Sequence, residues 1–226
     1  MKKEPYTSIN PNGRVPAIED PNTGITLWES SAIIDYLLET YDKTNSLQYT
    51  SWPEKFLQKS WMALQISGQG PYYGQRAWFL LVRPAHSHPI AICGAADCAF
   101  FSTIQKRISN LPSTATATSM LTPSSLRTGE SSRACRVHRV IGVINSQLKK
   151  TGKPYLVGDK CTYADLAFVS WHWTLLFPPH FMGADFAKEW ETEYPEAWAW
   201  HQRLQQRPAV TKVFDERLKA IMASKH

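Results

Sequence analysis

Apolar residues change their spacing twice near the N-terminus, and each change marks an element. Between Ile9 and Leu27 they are sparse and interrupted by turn formers. Asn10-Pro-Asn-Gly13 comes first, then Val15-Pro-Ala-Ile18, the Asp20-Pro-Asn-Thr-Gly24 turn and Ile25-Thr-Leu-Trp28. Short extended runs on either side of such a turn predict a β-hairpin. The period then lengthens, because Ile33, Ile34, Leu37, Leu38 and Tyr41 recur at helical spacing behind Ser30 and Ser31, both good N-cap types, so a helix is expected to about Tyr41. After the polar linker Asp42–Ser46, Phe56, Leu57, Trp61 and Leu64 mark a second amphipathic helix running toward Ser67-Gly-Gln-Gly70.

From about residue 83 to 136 this order fails. Pro84, Pro89, Pro112 and Pro123 interrupt the stretch, and its Ser/Thr/Ala-rich run from Ser109 to Ser119 has neither a helical nor a strand period. Helical spacing resumes at Val140, Ile141, Val143, Ile144 and Leu148 and stops at Thr151-Gly-Lys-Pro154. Thr162 and Asp165 then form a capping-box pattern opening a helix that is apolar on nearly every side, through Leu166, Ala167, Phe168, Val169 and Trp171. Such a helix belongs in the middle of a bundle. Pro195 near the start of another helix and the break at Arg207-Pro208 complete a helical C-terminal third.

Composition narrows the class. With 43% hydrophobic residues, nine Trp and nine Phe, the 226-residue chain can bury a sizeable core and is neither disordered nor collagen-like. No apolar run reaches the roughly 18 residues of a membrane span. No apolar stretch follows the initial Met-Lys-Lys, so a cytoplasmic location is expected, with no membrane partner. The cysteines at 93, 98, 135 and 161 offer no C-x-x-C pair, and no metal site is expected from them or from His86 and His88. The net charge of +6 comes mostly from residues 83–137, where six basic side chains face two acidic ones. It therefore describes one unusual segment, and no nucleic-acid partner is expected.

Three local features could build a small-molecule site. A proline at Val15-Pro16, entering a strand, can turn the neighbouring backbone outward as a partner for an extended peptide, beside Arg14. Glu29-Ser30, opening a helix, offers N–H groups and a hydroxyl to a carboxylate and an acid to an ammonium. The Tyr72-Tyr73 pair could line an apolar pocket. Taken singly, each is more readily a strand-edge turn, a helix cap, or core or surface filler. The glycines of Gly68-Gln-Gly70-Pro-Tyr-Tyr-Gly74 have the wrong spacing for a phosphate loop.

In combination, the stretches Asn10–Ile18, Trp28–Leu37 and Tyr155–Leu166 resemble, in order and spacing, the cytosolic glutathione transferases. Ser67–Gln75 and Arg139–Val143 look most like the fungal branch related to the Ure2 nitrogen regulator. The resemblance implies an α/β plus all-α fold, with a partial thioredoxin-like domain over 1–43 and an all-helical domain over 44–226. It implies glutathione as co-substrate with no other cofactor, a small electrophile as second substrate, and a homodimer. Pro16 should be a cis-proline, Val15 should pair its backbone with the cysteinyl part of glutathione, and Glu29 and Ser30 should hold the γ-glutamyl end. Arg14 is a weaker contact. Thr162–Asp165 matches the family's folding motif. The alternative within the same likeness is a non-catalytic, glutathione-binding regulator of the Ure2 type.

Two departures from the pattern carry expectations of their own. Only nine residues precede Asn10, too few for the family's opening strand, helix and strand, so the segment bearing the thiolate-stabilising residue is expected to be missing and the catalytic residue is unassigned. Residues 83–136 are expected to be an aberrant or disordered insertion, either translated intron sequence or a lineage-specific loop.

Overall fold

The hairpin forms where the turn chemistry places it. In the computed structural model, which describes residues 3–81, 129–176 and 182–223, a short helix α1 (Tyr6–Ile9) leads through the Asn10 turn to β1 (Ala17–Asp20) and β2 (Ile25–Trp28). The strands pair antiparallel with Ala17 opposite Trp28 and Asp20 opposite Ile25, and among the described residues they make the whole sheet. The Asp20 carboxylate closes the turn by accepting the Asn22 N–H at 2.9 Å and also accepts the Tyr36 and Tyr41 hydroxyls, which tie the following helix to the ribbon. Those tyrosines, Tyr36 first, hold the half-buried Asp20 carboxyl below its ordinary range.

Helix α2 (Ser30–Tyr41) buries Ile33 and Leu38. It begins on Ser30 itself, with Glu29 in the N-cap position and no side-chain cap, so neither serine plays the capping role their type suggested. α3 (Glu54–Leu64) passes through a π-helical turn (Gln65–Gln69) into α4 (Gly70–Leu81). The wider turn accompanies a buried amide relay, in which Gln65 Nε2 donates to Gln69 Oε1 at 3.2 Å and Gln69 Nε2 donates to the Phe168 carbonyl at 3.1 Å. The glycine-rich segment is thus helical. At Gly74 a Cβ would come within 3.3 Å of the Trp171 ring, so the glycine there serves close helix packing.

The helical part continues with α5 (Gly129–Thr151), α6 (Tyr163–Leu176), α7 (Phe186–Glu193), α8 (Pro195–Gln205) and α9 (Pro208–Ala223). Residues 82–128, most of the irregular stretch, lie outside the described residues. From Gly129 on the stretch's end is part of α5, which begins well before Val140. Its first turns read Ser131-Ser132-Arg133, with no apolar stripe to announce a helix. Val140, Ile141, Ile144, Phe168, Trp190, Trp200 and Leu204 form the centre of the core, and α6 runs through it with eight buried residues.

Asp165 organises that centre. Its Oδ2 accepts the Thr162 N–H and hydroxyl, each at 2.9 Å, and its Oδ1 accepts the Leu156 N–H and the Trp200 indole N–H, also at 2.9 Å each. Burial pushes its carboxyl above the ordinary value, while these donors pull the other way. A second anchor joins the α2–α3 linker to the loop before α6. Lys160 Nζ donates to the carbonyls of Asn45 at 2.8 Å and Gln48 at 2.6 Å, its backbone N–H donates to the Tyr49 hydroxyl at 3.0 Å, and the Tyr163 N–H donates to the Leu47 carbonyl at 2.8 Å. Among the described residues no helix is long and apolar enough to cross a membrane.

Candidate functional site

Hairpin register decides where the site lies. Because Ala17 pairs with Trp28, the residues just before β1 and just after β2 leave the ribbon at the same end. Val15, Pro16, Glu29 and Ser30 consequently line one cleft, of about 1150 Å³, between the hairpin with α2 and the helices α3, α6 and α9. Small-molecule sites usually measure roughly 300–1,000 Å³, so this one lies just above the usual range.

The Val15–Pro16 peptide is cis. The turn ahead of it is well fixed, since Asn10 is buried, its Oδ1 accepts the Asn12 N–H at 2.9 Å and its amide donates to the Arg14 carbonyl. The Tyr6 hydroxyl donates to the same carbonyl at 2.9 Å. The Arg14 carbonyl is therefore occupied and its side chain is exposed, outside the cleft lining.

Glu29 has φ 71° and ψ 124°, a region non-glycine residues rarely occupy. Its Oε1 accepts the Asn12 amide at 3.3 Å, which links the turn to the start of α2. The first N–H groups of α2 carry no side-chain cap and lie where Ser30 faces the cleft, so this end favours a negatively charged group.

The opposite wall is one face of α6, with Tyr163, Leu166, Ala167, Ser170, Trp171 and Thr174 recurring at helical spacing. Met62, Ile66 and Pro71 extend it, and Arg217 of α9 stands on its rim. The expectation for Tyr72 and Tyr73 needs correction, because neither lines this cleft. Pro71 faces it, and one and two steps of about 100° turn the tyrosines elsewhere. Tyr72 lies under the Arg136 guanidinium at 5.0 Å, and Tyr73 is buried against Trp171 and His172 with ring centroids 6.3 and 5.9 Å away. Burial pushes the Tyr73 phenol far above its usual value.

Cys161 is buried, and burial pushes its thiol up to about 12, which removes it as a nucleophile near neutral pH. The cysteines at 93 and 98 and the histidines at 86 and 88 lie outside the described residues. Outside the cleft lining, His138, Glu189 and Glu193 bring three donor atoms within 4.8 Å of one another, a spacing a divalent cation can use. The His138–Glu189 pair at 3.4 Å also accounts for the grouping without one. The lining residues Trp171 and Arg217 had no signal in the sequence, since each lies within an ordinary helical pattern.

A hairpin and helix of thioredoxin type, beside a helical domain built on a buried capping box and with a cis-proline facing the cleft between them, define the architecture of the glutathione transferases. The comparisons agree. Residues 1–40 match the family description "Glutathione S-transferase, N-terminal domain", and residues 117–217 match "Glutathione S-transferase, C-terminal domain", a match that begins inside the irregular stretch. The glutathione S-transferase-like protein OpS6 of Beauveria bassiana is 38% identical over 94% of this chain and 77% of its own length. The crystal structure of the glutathione transferase URE2P5 from Phanerochaete chrysosporium is 29% identical, with a TM-score of 0.73 over 100% of this chain and 81% of that one. Ure2p5 from the same fungus, cocrystallized with 1-(S-glutathionyl)-2,4-dinitrobenzene, gives 29% identity and a TM-score of 0.70 over 96% of this chain and 80% of that one. The chain belongs to the glutathione S-transferase family.

Proposed function

We propose that the chain binds glutathione at the Val15–Ser30 end of the cleft and conjugates its thiol to a small electrophile. The supporting observation is the convergence of the cis Val15–Pro16 peptide with Glu29 and Ser30 on one cavity. The γ-glutamyl carboxylate takes the uncapped N–H groups and the Ser30 hydroxyl at the start of α2. Glu29, steadied by Asn12, accepts from the ammonium. The Val15 backbone pairs with the cysteinyl residue, which aims the thiol at the space along α6.

Chemistry then requires the thiolate, which attacks the electrophilic carbon while the leaving group departs with the bonding electrons. A free thiol with pKa near 8.5 is only partly ionised at neutral pH, and the dipole of α2 is one source of the positive field that lowers it. The residue that donates to the sulfur is unassigned, and Arg14 has no part in this reading. Homodimer formation and a cytoplasmic location belong to the same proposal.

Retention on glutathione-agarose together with a conjugation assay on 1-chloro-2,4-dinitrobenzene tests it. Retention with turnover, both weakened in Ser30→Ala, is the expected result. Retention without turnover would replace the transferase with a non-catalytic binder of the Ure2 type. Failure to be retained would overturn the binding assignment itself.

A further inference from the structure

We propose that Arg217 selects electrophiles bearing an anionic group, an aromatic carboxylate above all, at the helical wall of the cleft. This rests on the reading that glutathione occupies the hairpin side. Charge accounting within the lining leads to it. Of the charged side chains there, Asp42 is engaged in holding its own loop, accepting the Ser46 N–H at 2.7 Å, the Ser46 hydroxyl at 2.8 Å and the Leu47 N–H at 2.9 Å. Glu29 is held by Asn12 on the hairpin side. Arg217 is the one cation of the lining among the described residues, and among them it forms no ion pair with a carboxylate.

Its guanidinium is positioned. It lies 4.8 Å from the centre of the Trp173 ring, which itself stacks on Phe214 at 5.0 Å and 13°. A guanidinium resting on an indole keeps its N–H edge available, and that planar fork matches a carboxylate. The adjoining wall of Ile34, Leu37, Ile66 and Trp171 is apolar and suits a flat ring. An arylcarboxylate with a displaceable group on the ring meets both features at once.

For a chloronitrobenzoate the step balances simply. The glutathione sulfur forms a C–S bond at the ring carbon carrying chlorine, chloride leaves with the electron pair, and the thiol proton passes to solvent.

The test compares two S-aryl glutathione conjugates, one derived from 1-chloro-2,4-dinitrobenzene and one from 4-chloro-3,5-dinitrobenzoate. Their equilibrium binding to the full chain is followed by tryptophan fluorescence, with glutathione alone as a third ligand. The preference for the carboxylated over the neutral conjugate is expected to fall about tenfold in Arg217→Gln, the usual weight of one charge-assisted pair, and to recover in part in Arg217→Lys. An equal change for both conjugates, or none, would overturn the assignment. A loss of glutathione affinity by the same factor would place the arginine on the tripeptide and also overturn it. If neither glutathione nor either conjugate binds, the glutathione reading fails, and this one falls with it.

Discussion

Asp20 and Asp165 use the same device, a carboxylate gathering several donors, in two very different parts of the molecule. Asp20 closes the hairpin at the surface, and Tyr36 and Tyr41 hold its carboxyl low. Asp165 joins the Thr162 cap, Leu156 and Trp200 in the middle of the bundle, and burial pushes its carboxyl up despite as many donors. Hydrogen bonds alone do not set the sign; the surrounding dielectric does. The contrast extends to packing. Among its described apolar side chains the hairpin half buries only Ile33 and Leu38, whereas the helical half encloses Trp190, Trp200 and Phe168 completely; both halves leave other large side chains exposed, Trp28 in one and Trp52 in the other. The larger closed core therefore lies in the bundle, while the groups proposed to hold glutathione sit on its neighbour.

Acid should separate the halves most sharply. His172 and His201 are fully buried side by side, with ring centroids 5.5 Å apart and no hydrogen-bond partner on any of their nitrogens among the described residues. Burial pulls His201 down to about 3 and His172 well below its ordinary value. Both are neutral in the folded protein, while in the unfolded chain they protonate below about pH 6.5. The unfolded state then binds more protons, so their contribution is present above pH 6.5 and is lost as pH falls toward 3, with a slope approaching about 2.7 kcal/mol per pH unit. Urea midpoints at pH 7.5, 6.0 and 5.0 measure this. His201→Phe, which preserves a ring against Trp190, should nearly halve the slope, and an unaltered slope would remove the histidines as its cause.

Next in size is Asp165→Ala, which leaves the Leu156, Thr162 and Trp200 N–H groups buried without an acceptor. A loss of about 3–5 kcal/mol in urea unfolding is expected. Gly158→Ala should cost about 1–3 kcal/mol, because a Cβ there comes within 2.9 Å of the Tyr49 hydroxyl on a backbone with φ of 154°. The smallest shift belongs to Asp20→Asn at the exposed hairpin turn. Its effect should vanish in acid, since a depressed carboxyl contributes above pH 3.8 and ceases to as pH falls below it. If Asp20→Asn proves as damaging as Asp165→Ala, the contrast between the two halves is wrong.

What could be read in the chain follows the range of the forces involved. Turn residues and the Thr162–Asp165 box act locally, so the hairpin, α2 and the core helix were all legible, as was the pairing that brings Pro16 beside Ser30. The helical wall of the cleft was not. Tyr72 and Tyr73 looked like lining because adjacent aromatics near a helix end suggest a pocket, yet the phase of α4 behind the π-helical turn directs them elsewhere. Arg217 reaches the cavity only through the packing of the last helix, and the start of α5 at Gly129 lacks the apolar stripe that would have revealed it.

Lys160 fastens carbonyls of the Asn45–Gln48 linker from more than a hundred positions further along the chain. One ammonium thereby staples the linker after α2, whose Ser46 and Leu47 line the cavity, to the loop that leads into α6 on the opposite wall. Exchanging it for a shorter or neutral side chain would loosen that staple from outside the lining, since Lys160 itself does not face the cavity.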